Sequence, residues 1–489
     1  MRAEAKQYGD HMRRLLAALP AVILLLAGCA ATPPPAPPPP ATPAAPVTPT
    51  VETTAGEWAG RIGIPGAPLE IGIRLTAEGG GLRGEIDIPT QAIKGMPLGD
   101  VLLEGRELSF RLPEVSGDAW FRGTFEPDGK SIPGAFTQFG QSFPLVLRPG
   151  PAAGRPQEPR PPFPYRSEDV KYPGQGVDLA GTLTLPPGPG PFTAVVLVTG
   201  SGPQNRDEEL FGHKPFLLLA DLLTRAGYAV LRVDDRGVGG SGGQLYTSNY
   251  DELTGDVVAG VDFLRGRPEI DKARIGLFGH SEGGYLVPLA AQRTPIAFAV
   301  LMAGPAASGE EVLVLQNQLL LEAAGAPPEV VANQVAYVRE LVALLRAEDF
   351  EGAWALAAQQ IAAQADGLPL EQQPSPEEFE AQVATTVNPY YRSWAVHDPA
   401  PALQALRVPV LAFFGGADLQ VPAGQNEPLM RTLLAGNPDA TIRTLPGLNH
   451  LMQPATSGGL DEYASIETTT DPRALDLVRS WLTQRFPVR

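Results

Sequence analysis

Between about Glu52 and Leu147, apolar and polar positions alternate in short runs: L-E-I-G-I-R-L (69–75), G-E-I-D-I (84–88), E-L-S-F-R-L (107–112), A-W-F-R-G-T-F (119–125) and F-P-L-V-L (143–147). A period of two, with Gly, Pro and Asp between the runs, predicts an antiparallel sheet closed into a small barrel or sandwich over 52–148. The Pro- and Gly-rich stretch 149–164 then reads as a linker. From 165 onward the pattern changes. Continuous apolar runs such as A-V-V-L-V (194–198) suit strands covered on both faces, and they alternate with segments of helical period. Strands are expected near 194–198, 229–233, 274–278, 296–302, 408–414 and 441–445, and helices near 215–225, 251–264, 285–292, 426–434 and 472–485. That is an α/β arrangement with a mostly parallel, doubly wound sheet. Between 306 and about 400 the alternation stops, and an Ala-, Leu-, Gln- and Glu-rich helical block intervenes, placed as a cap.

The first fifty residues follow another logic. Arg13 and Arg14 precede an apolar run from Leu15 to Leu26 and then Ala27-Gly28-Cys29. The run is short for a membrane span and reads as a secretory signal over 1–28. L-A-G-C resembles a bacterial lipobox, which implies cleavage before Cys29 and its diacylation. Cys29 is the only cysteine in the chain, in keeping with export to an oxidising compartment. The proline-rich segment behind it, within 29–51, suits an extended tether. The expected location is the cell envelope, anchored by lipid and, where there is an outer membrane, there. A net charge of −17 and the lack of a basic stripe exclude nucleic acid as a partner.

Chemistry enters with G-H-S-E-G-G (279–284). G-x-S-x-G has little specificity in a chain with 54 glycines, and G-G-S-G-G (239–243) satisfies it equally. Context separates the two. Ser281 stands between a predicted strand and a predicted helix, on the tight turn a nucleophile needs, whereas Ser241 runs into a loop. A neutral serine requires a base held by a carboxylate. Of five histidines, His450 in T-L-P-G-L-N-H follows a strand and precedes the final helix; Asp418 in G-A-D-L-Q-V-P follows the preceding strand. Asp234 and Asp235 are the rival carboxylates, set aside because Arg236 beside them suggests a structural ion pair, and Asp398 suits anchoring the cap's exit. His280 is expected to point away from the reaction, and His213 and His397 to be loop or surface residues. For an oxyanion, the amide of Glu282 needs a second donor, supplied by Ser201 or Gly202 in T-G-S-G-P-Q-N-R-D. The aromatic cluster N-P-Y-Y-R-S-W offers Tyr390, Tyr391 and Trp394 as candidates for lining the acyl pocket.

The set G-S-G-P-Q-N-R-D, L-R-V-D-D-R-G-V-G-G-S, G-H-S-E-G-G, G-A-D-L-Q-V-P and P-G-L-N-H resembles bacterial α/β-hydrolase esterases of the capped, dienelactone-hydrolase-like type, over residues 165–489. The resemblance implies a cofactor-independent serine esterase acting on a small-molecule ester, with no metal. Thr199 departs from it, standing where many relatives carry His or Asn. A peptidase or amidase of the same fold remains an alternative, as does a non-catalytic surface binding protein.

Overall fold

The computed structural model describes residues 48–64, 69–88, 93–113, 115, 117–150, 155–365 and 373–488. The signal segment, Cys29 and most of the tether lie outside them. The chain divides into two compact units, one ending at Gly154 and the other beginning at Arg155. Among the described residues, no helix is long and apolar enough to cross a membrane.

Among its described residues, the first unit has a short helix α1 (Val51–Thr54) and nine strands: β1 (Gly56–Ile62), β2 (Leu69–Glu78), β3 (Gly81–Ile88), β4 (Ile93–Pro97), β5 (Gly99–Glu104), β6 (Glu107–Leu112), β7 (Ala119–Thr124), β8 (Ile132–Gln138) and β9 (Gln141–Pro149). Their order is β4-β3-β2-β1-β9-β8-β7-β6-β5. The two ends of that order, β4 and β5, are consecutive in the chain with Leu98 alone between them, so the sheet has to curl back on itself. Leu98 marks the seam, its N–H donating to the Gly84 carbonyl at 2.8 Å. The result is barrel-like, as the alternation implied, and its interior is filled by side chains from alternate positions, among them Ile71, Ile73 and Leu75 on β2 and Leu108, Phe110 and Leu112 on β6. Trp58 lies edge-on to Phe125 and donates its indole N–H to Thr54 O at 2.9 Å, tying α1 to the core.

The second unit opens on residues that are not loose. Arg155 donates to the carbonyls of Phe211, Ala464 and Ile466, and the Gln157 side chain to that of Thr470, so the second half of the expected linker is fastened to the hydrolase unit. A hairpin of β10 (Arg166–Pro173) and β11 (Asp178–Leu185) precedes β12 (Phe192–Val198), β13 (Ala229–Val233), β14 (Ile270–His280), β15 (Ala299–Met302), β16 (Val410–Gly415) and β17 (Ala440–Leu445). The order is β10-β11-β13-β12-β14-β15-β16-β17, parallel from β13 onward. This is the α/β-hydrolase arrangement. The continuous apolar runs are explained by burial on both faces. On β12, Ala194, Val196 and Val198 face one core, while Val195 and Leu197 face the other. Helix α2 (Pro215–Arg225) closes the second face; α3 (Tyr250–Gly266) and α4 (Gly283–Arg293) close the first.

The chain goes from β12 outward to β13 and then returns past β12 to β14. That reversal opens a crevice at the carboxyl ends of β12 and β14, the place where open α/β sheets take ligands. The cap comprises α5 (Gly309–Ala323), α6 (Pro328–Arg346), α7 (Phe350–Ala365), α8 (Pro376–Ala384) and α9 (Pro389–Ala395), with its own small cores around Leu313, Val338, Leu341 and Leu345. After α10 (Ala400–Ala405) the chain re-enters the sheet. Helices α11 (Ala423–Leu433), α12 (Leu460–Tyr463) and α13 (Pro472–Arg485) complete it, and Asn426 on α11 fixes the cap's point of departure by accepting the amides of Ala306 and Ala307.

Candidate active site

Strand β14 runs into α4 through Ser281, which takes a φ of +51°. A non-glycine residue in this region is strained, by about 1–2 kcal/mol, and the strain has a use because the turn lifts the hydroxyl out of the strand line. Such tightness dictates the flanking glycines. A Cβ at Gly279 would lie 2.3 Å from the Gly283 carbonyl oxygen, one at Gly283 2.4 Å from Val198 O, and one at Gly284 2.4 Å from Gly304 Cα. Ser281 donates its N–H to Met302 O at 3.0 Å, which fixes the turn to β15.

Ser241 sits quite differently. Its hydroxyl donates to Asp234 O at 2.7 Å and accepts from Ala180 N at 2.9 Å, so both capacities serve a buried turn.

His450 follows β17 in a loop organised by the Asn449 side chain, which accepts the amides of Leu451 and Gln453. Its Nδ1–H donates to Asp418 Oδ2 at 2.8 Å, and both side chains are buried. The other carboxylate oxygen of Asp418 accepts from the amides of Gln420 and Val421, at 2.8 and 2.9 Å. With Nδ1 donating, the Nε2 lone pair is left to take a proton. The His450 carbonyl accepts from Nε2 of His280, the residue next to Ser281, at 3.1 Å, and the two rings stand 4.8 Å apart. Ser281, Asp418 and His450 are therefore brought to one end of the sheet.

His280 does not point away, as the sequence suggested; it is buried inside this assembly. Its Nδ1 meets Glu208 Oε1 at 2.8 Å, and the same oxygen accepts the Gly200 amide at 2.8 Å. A carbonyl only accepts, so Nε2 carries a proton, and the His280–Glu208 pair shares one further proton between them. Burial alone would lower the pKa of His280, but Glu208 reverses this and holds it above the ordinary value. His213 is likewise buried rather than superficial, bound to Thr469 Oγ1 and Tyr463 O, and burial lowers it to about 4. His397 lies edge-on to Tyr250 and Tyr285, also lowered by burial to about 4.

The loop after β12 lies against Ser281: a Cβ at Gly200 would be 3.3 Å from Ser281 Cβ. Carboxylates hold it from behind. Asp235 accepts the Thr199 hydroxyl and the Gln204 amide at 2.7 and 2.9 Å, which is what the threonine at that position does. Burial drives the pKa of Asp235 well up. Asp234 accepts from the backbone and the side chain of Arg206, while Arg236 binds Asp256 and Glu252; the ion pair expected of Asp234 and Asp235 with Arg236 is thus replaced by two longer-range ones. Asp398 accepts the Ala400 amide at 3.0 Å, at the start of α10.

Of the two alternatives for the second oxyanion donor, Gly202 is occupied. Its N–H donates to the Tyr390 hydroxyl at 2.8 Å, and that hydroxyl in turn donates to Glu282 Oε2 at 2.7 Å. Among the described residues, no acceptor stands on the amides of Ser201 and Glu282. Tyr390 is buried against the sheet-side core, but Tyr391 faces the interior of the cap, packed with Tyr337 and Val396. Trp394 lies between the two and edge-on to Tyr391. One helical step of about 100° separates Tyr390 from Tyr391, so of the aromatic cluster Tyr390 alone has contacts that place it at the elbow.

The Glu282 side chain was not singled out by its sequence position. It is buried, and burial raises its pKa from 4.5 to about 7 despite the Tyr390 bond. Tyr250 faces it from α3, and burial, with the Glu282 carboxylate beside it, pushes that phenol well above its ordinary value. Among the described residues, no group of three or more His, Cys, Asp or Glu side chains is arranged to hold a metal ion.

Residues 132–433, more than half of the chain, match the X-Pro dipeptidyl-peptidase (S15) family. The chain belongs to that family. It is similar to the esterase EstD of Thermotoga maritima, 28% identical over 321 residues that cover 65% of this chain and 68% of EstD. A shorter likeness, 29% over 173 residues, links it to acyl-coenzyme A thioesterase 1 of Rattus norvegicus, covering 33% of this chain and 34% of the relative. Among solved structures, the Pyrococcus furiosus esterase Pf2001 matches 68% of this chain and 97% of its own, at 16% identity and a TM-score of 0.41. This S15 chain is a serine hydrolase of the α/β-hydrolase fold, as its motifs implied.

Proposed function

We propose that the protein hydrolyses carboxylic esters of small molecules through an acyl-enzyme at Ser281. The observation that carries this is the Asp418–His450 pair, placed beside the strained turn that presents Ser281. In this reading His450 Nε2 takes the serine proton as Oγ adds to the acyl carbonyl, then returns it to the leaving alcohol. The amides of Glu282 and Ser201 receive the oxyanion. Water activated by the same histidine releases the acid, and Asp418 supports the imidazolium in both halves. The likeness to EstD supports an ester as substrate.

The family's peptidase name supports a second reading, in which an amide is cleaved. The triad serves both. Matched ester and anilide substrates of one acyl group separate them: ester hydrolysis should exceed anilide hydrolysis in kcat/KM, and a fluorophosphonate probe should label Ser281. A preference for the anilide, above all for one with proline before the scissile bond, would transfer the assignment to peptidase.

The location belongs to the same proposal. Cys29, outside the described residues, is proposed as the diacylated first residue of an envelope lipoprotein, with several chains giving stable retention. In cells, Cys29→Ser should shift the activity from the membrane to the soluble fraction. Retention of that variant, with its leader cleaved, would rule the anchor out.

A further inference from the structure

The cap and the oxyanion loop share one hydroxyl. Tyr390, on α9, accepts the N–H of Gly202 at 2.8 Å and donates to Glu282 Oε2 at 2.7 Å, so a single phenol spans three segments 80 or more residues apart in sequence. Each member of the chain has its direction set by chemistry. An amide only donates, so the phenol oxygen must accept; the phenol proton then goes to the carboxylate, the one acceptor left to it. All of this is buried, with Tyr390 and Glu282 each 4% exposed, where a hydrogen bond is stronger and a missing one more costly.

We propose that Tyr390 is a positioning residue for the hydrolytic reaction: oriented by the Glu282 carboxylate, its hydroxyl holds the Gly202 amide and thereby sets the backbone next to it, Ser201, to receive the oxyanion. This rests on the assignment of Ser281 as nucleophile. The Gly202 N–H and the Ser201 carbonyl belong to one peptide unit; Gln204 Nε2 donates to that carbonyl at 3.2 Å and the Tyr390 hydroxyl accepts the amide at 2.8 Å, so at a glycine with a φ of +86° beside an exposed serine the phenol holds one of the peptide's two ends. The cap is then part of the catalytic apparatus and does more than choose substrates. Displacing α9 releases the hydroxyl from Gly202, and the oxyanion site is complete when the cap is seated.

The carboxylate brings a dependence on pH that a purely structural contact would lack. Groups facing Glu282 are Tyr390 from the cap, Tyr250 from α3, Tyr285 on its own helix and Asp235 from the loop after β13. None is cationic. Burial therefore favours the neutral acid, and the folded state loses stability as pH rises from 4.5 towards about 7, then no further. Glu282→Gln removes that loss while leaving an oxygen to accept from Tyr390.

The test uses the full chain, three single variants and one double variant. Tyr390→Phe keeps the ring's packing and should lower kcat about tenfold with KM little changed, as expected for one lost hydrogen bond acting on the transition state. Its reaction with a fluorophosphonate at Ser281 should slow in step. Glu282→Leu should fall as far as Tyr390→Phe, and combining them should add little. Glu282→Gln should fall less than Glu282→Leu and should raise the urea midpoint over the parent at pH 8 but not at pH 4. If the parent is labelled at Ser281 while Tyr390→Phe matches its kcat and labelling rate, the positioning role is overturned and the serine assignment stands. If the parent is not labelled at Ser281, both fall. A Tyr390→Phe variant with raised KM and unchanged kcat would make Tyr390 a pocket wall instead.

Discussion

Ser281→Ala should lower kcat/KM for an ester by about four to six orders of magnitude, because the proposed nucleophile, base and acid would act as one unit and the loss of any member of such a unit removes most of their joint effect. Ser241→Ala is the informative partner, since its serine also stands in a G-x-S-x-G pattern. Its expected cost lies in stability. Removing that hydroxyl strips a buried amide, Ala180 N–H, of its acceptor and a buried carbonyl, Asp234 O, of its donor. Unpaired buried groups cost about 1–3 kcal/mol, which a urea titration would resolve. Asp234 also positions Arg206 in the loop after β12, so a modest fall in activity belongs to the same prediction. Steady-state kinetics and unfolding of the two variants side by side give the measurement. An active Ser281→Ala would remove the nucleophile, whatever the turn looks like.

The two serines also show what could be read before the structure. Strand, turn and helix around Ser281 carry strong local patterns, because β14 is buried on both faces and the glycines mark where backbones touch. That Asp418 and His450 would meet was legible through their order relative to strands, which is a property of topology. The hairpin β10–β11 was not, because its outer strand, R-S-E-D-V-K-Y-P, lies at the sheet's edge and is mostly exposed or half-buried, so no apolar run announces it. In the barrel, β1, β4, β5 and β8 escaped for a related reason. Glycines and prolines in G-E-W-A-G-R-I and I-P-G-A-F-T-Q interrupt the alternation, although backbone crowding requires some of them: a Cβ at Gly134 would lie 2.3 Å from Arg122 O. Least legible were contacts between distant polar residues. Glu208 is one acid in the run R-D-E-E-L and meets His280 only through the fold, as Tyr390 meets Glu282. Local periodicity encodes where a helix lies and which face it buries; it does not encode which carboxylate on another segment waits at the end of a hydroxyl.

For Asp418, the geometry decides how an isosteric change would fail. Asp418→Asn replaces one oxygen by an amide NH₂ that can only donate, and the two oxygens it could replace have different duties. Oδ1 accepts two backbone amides, from Gln420 and Val421, while Oδ2 accepts the single Nδ1–H of His450. Turning the NH₂ towards the two amides would lose two hydrogen bonds and set donors against donors, at about 1–3 kcal/mol for each group left unpaired. Turning it towards His450 loses one bond, and that one can be recovered if the imidazole moves its proton from Nδ1 to Nε2. The second orientation is therefore favoured, and it is the one that disables the enzyme. With a proton already on Nε2, the ring has no lone pair to offer Ser281. The fold should be little affected, since the loop keeps its oxygen and the imidazole its partner. Activity should fall by about 10⁴-fold, the loss typical of a wrong tautomer in such triads, with an unfolding midpoint close to the parent's. Asp418→Ala leaves the tautomer free and the two loop amides unpaired, so it should lose more stability than Asp418→Asn. Measured kcat/KM and urea midpoints for both variants test the account. Asp418→Asn retaining more than about a hundredth of the parent's activity would mean that another group orients His450.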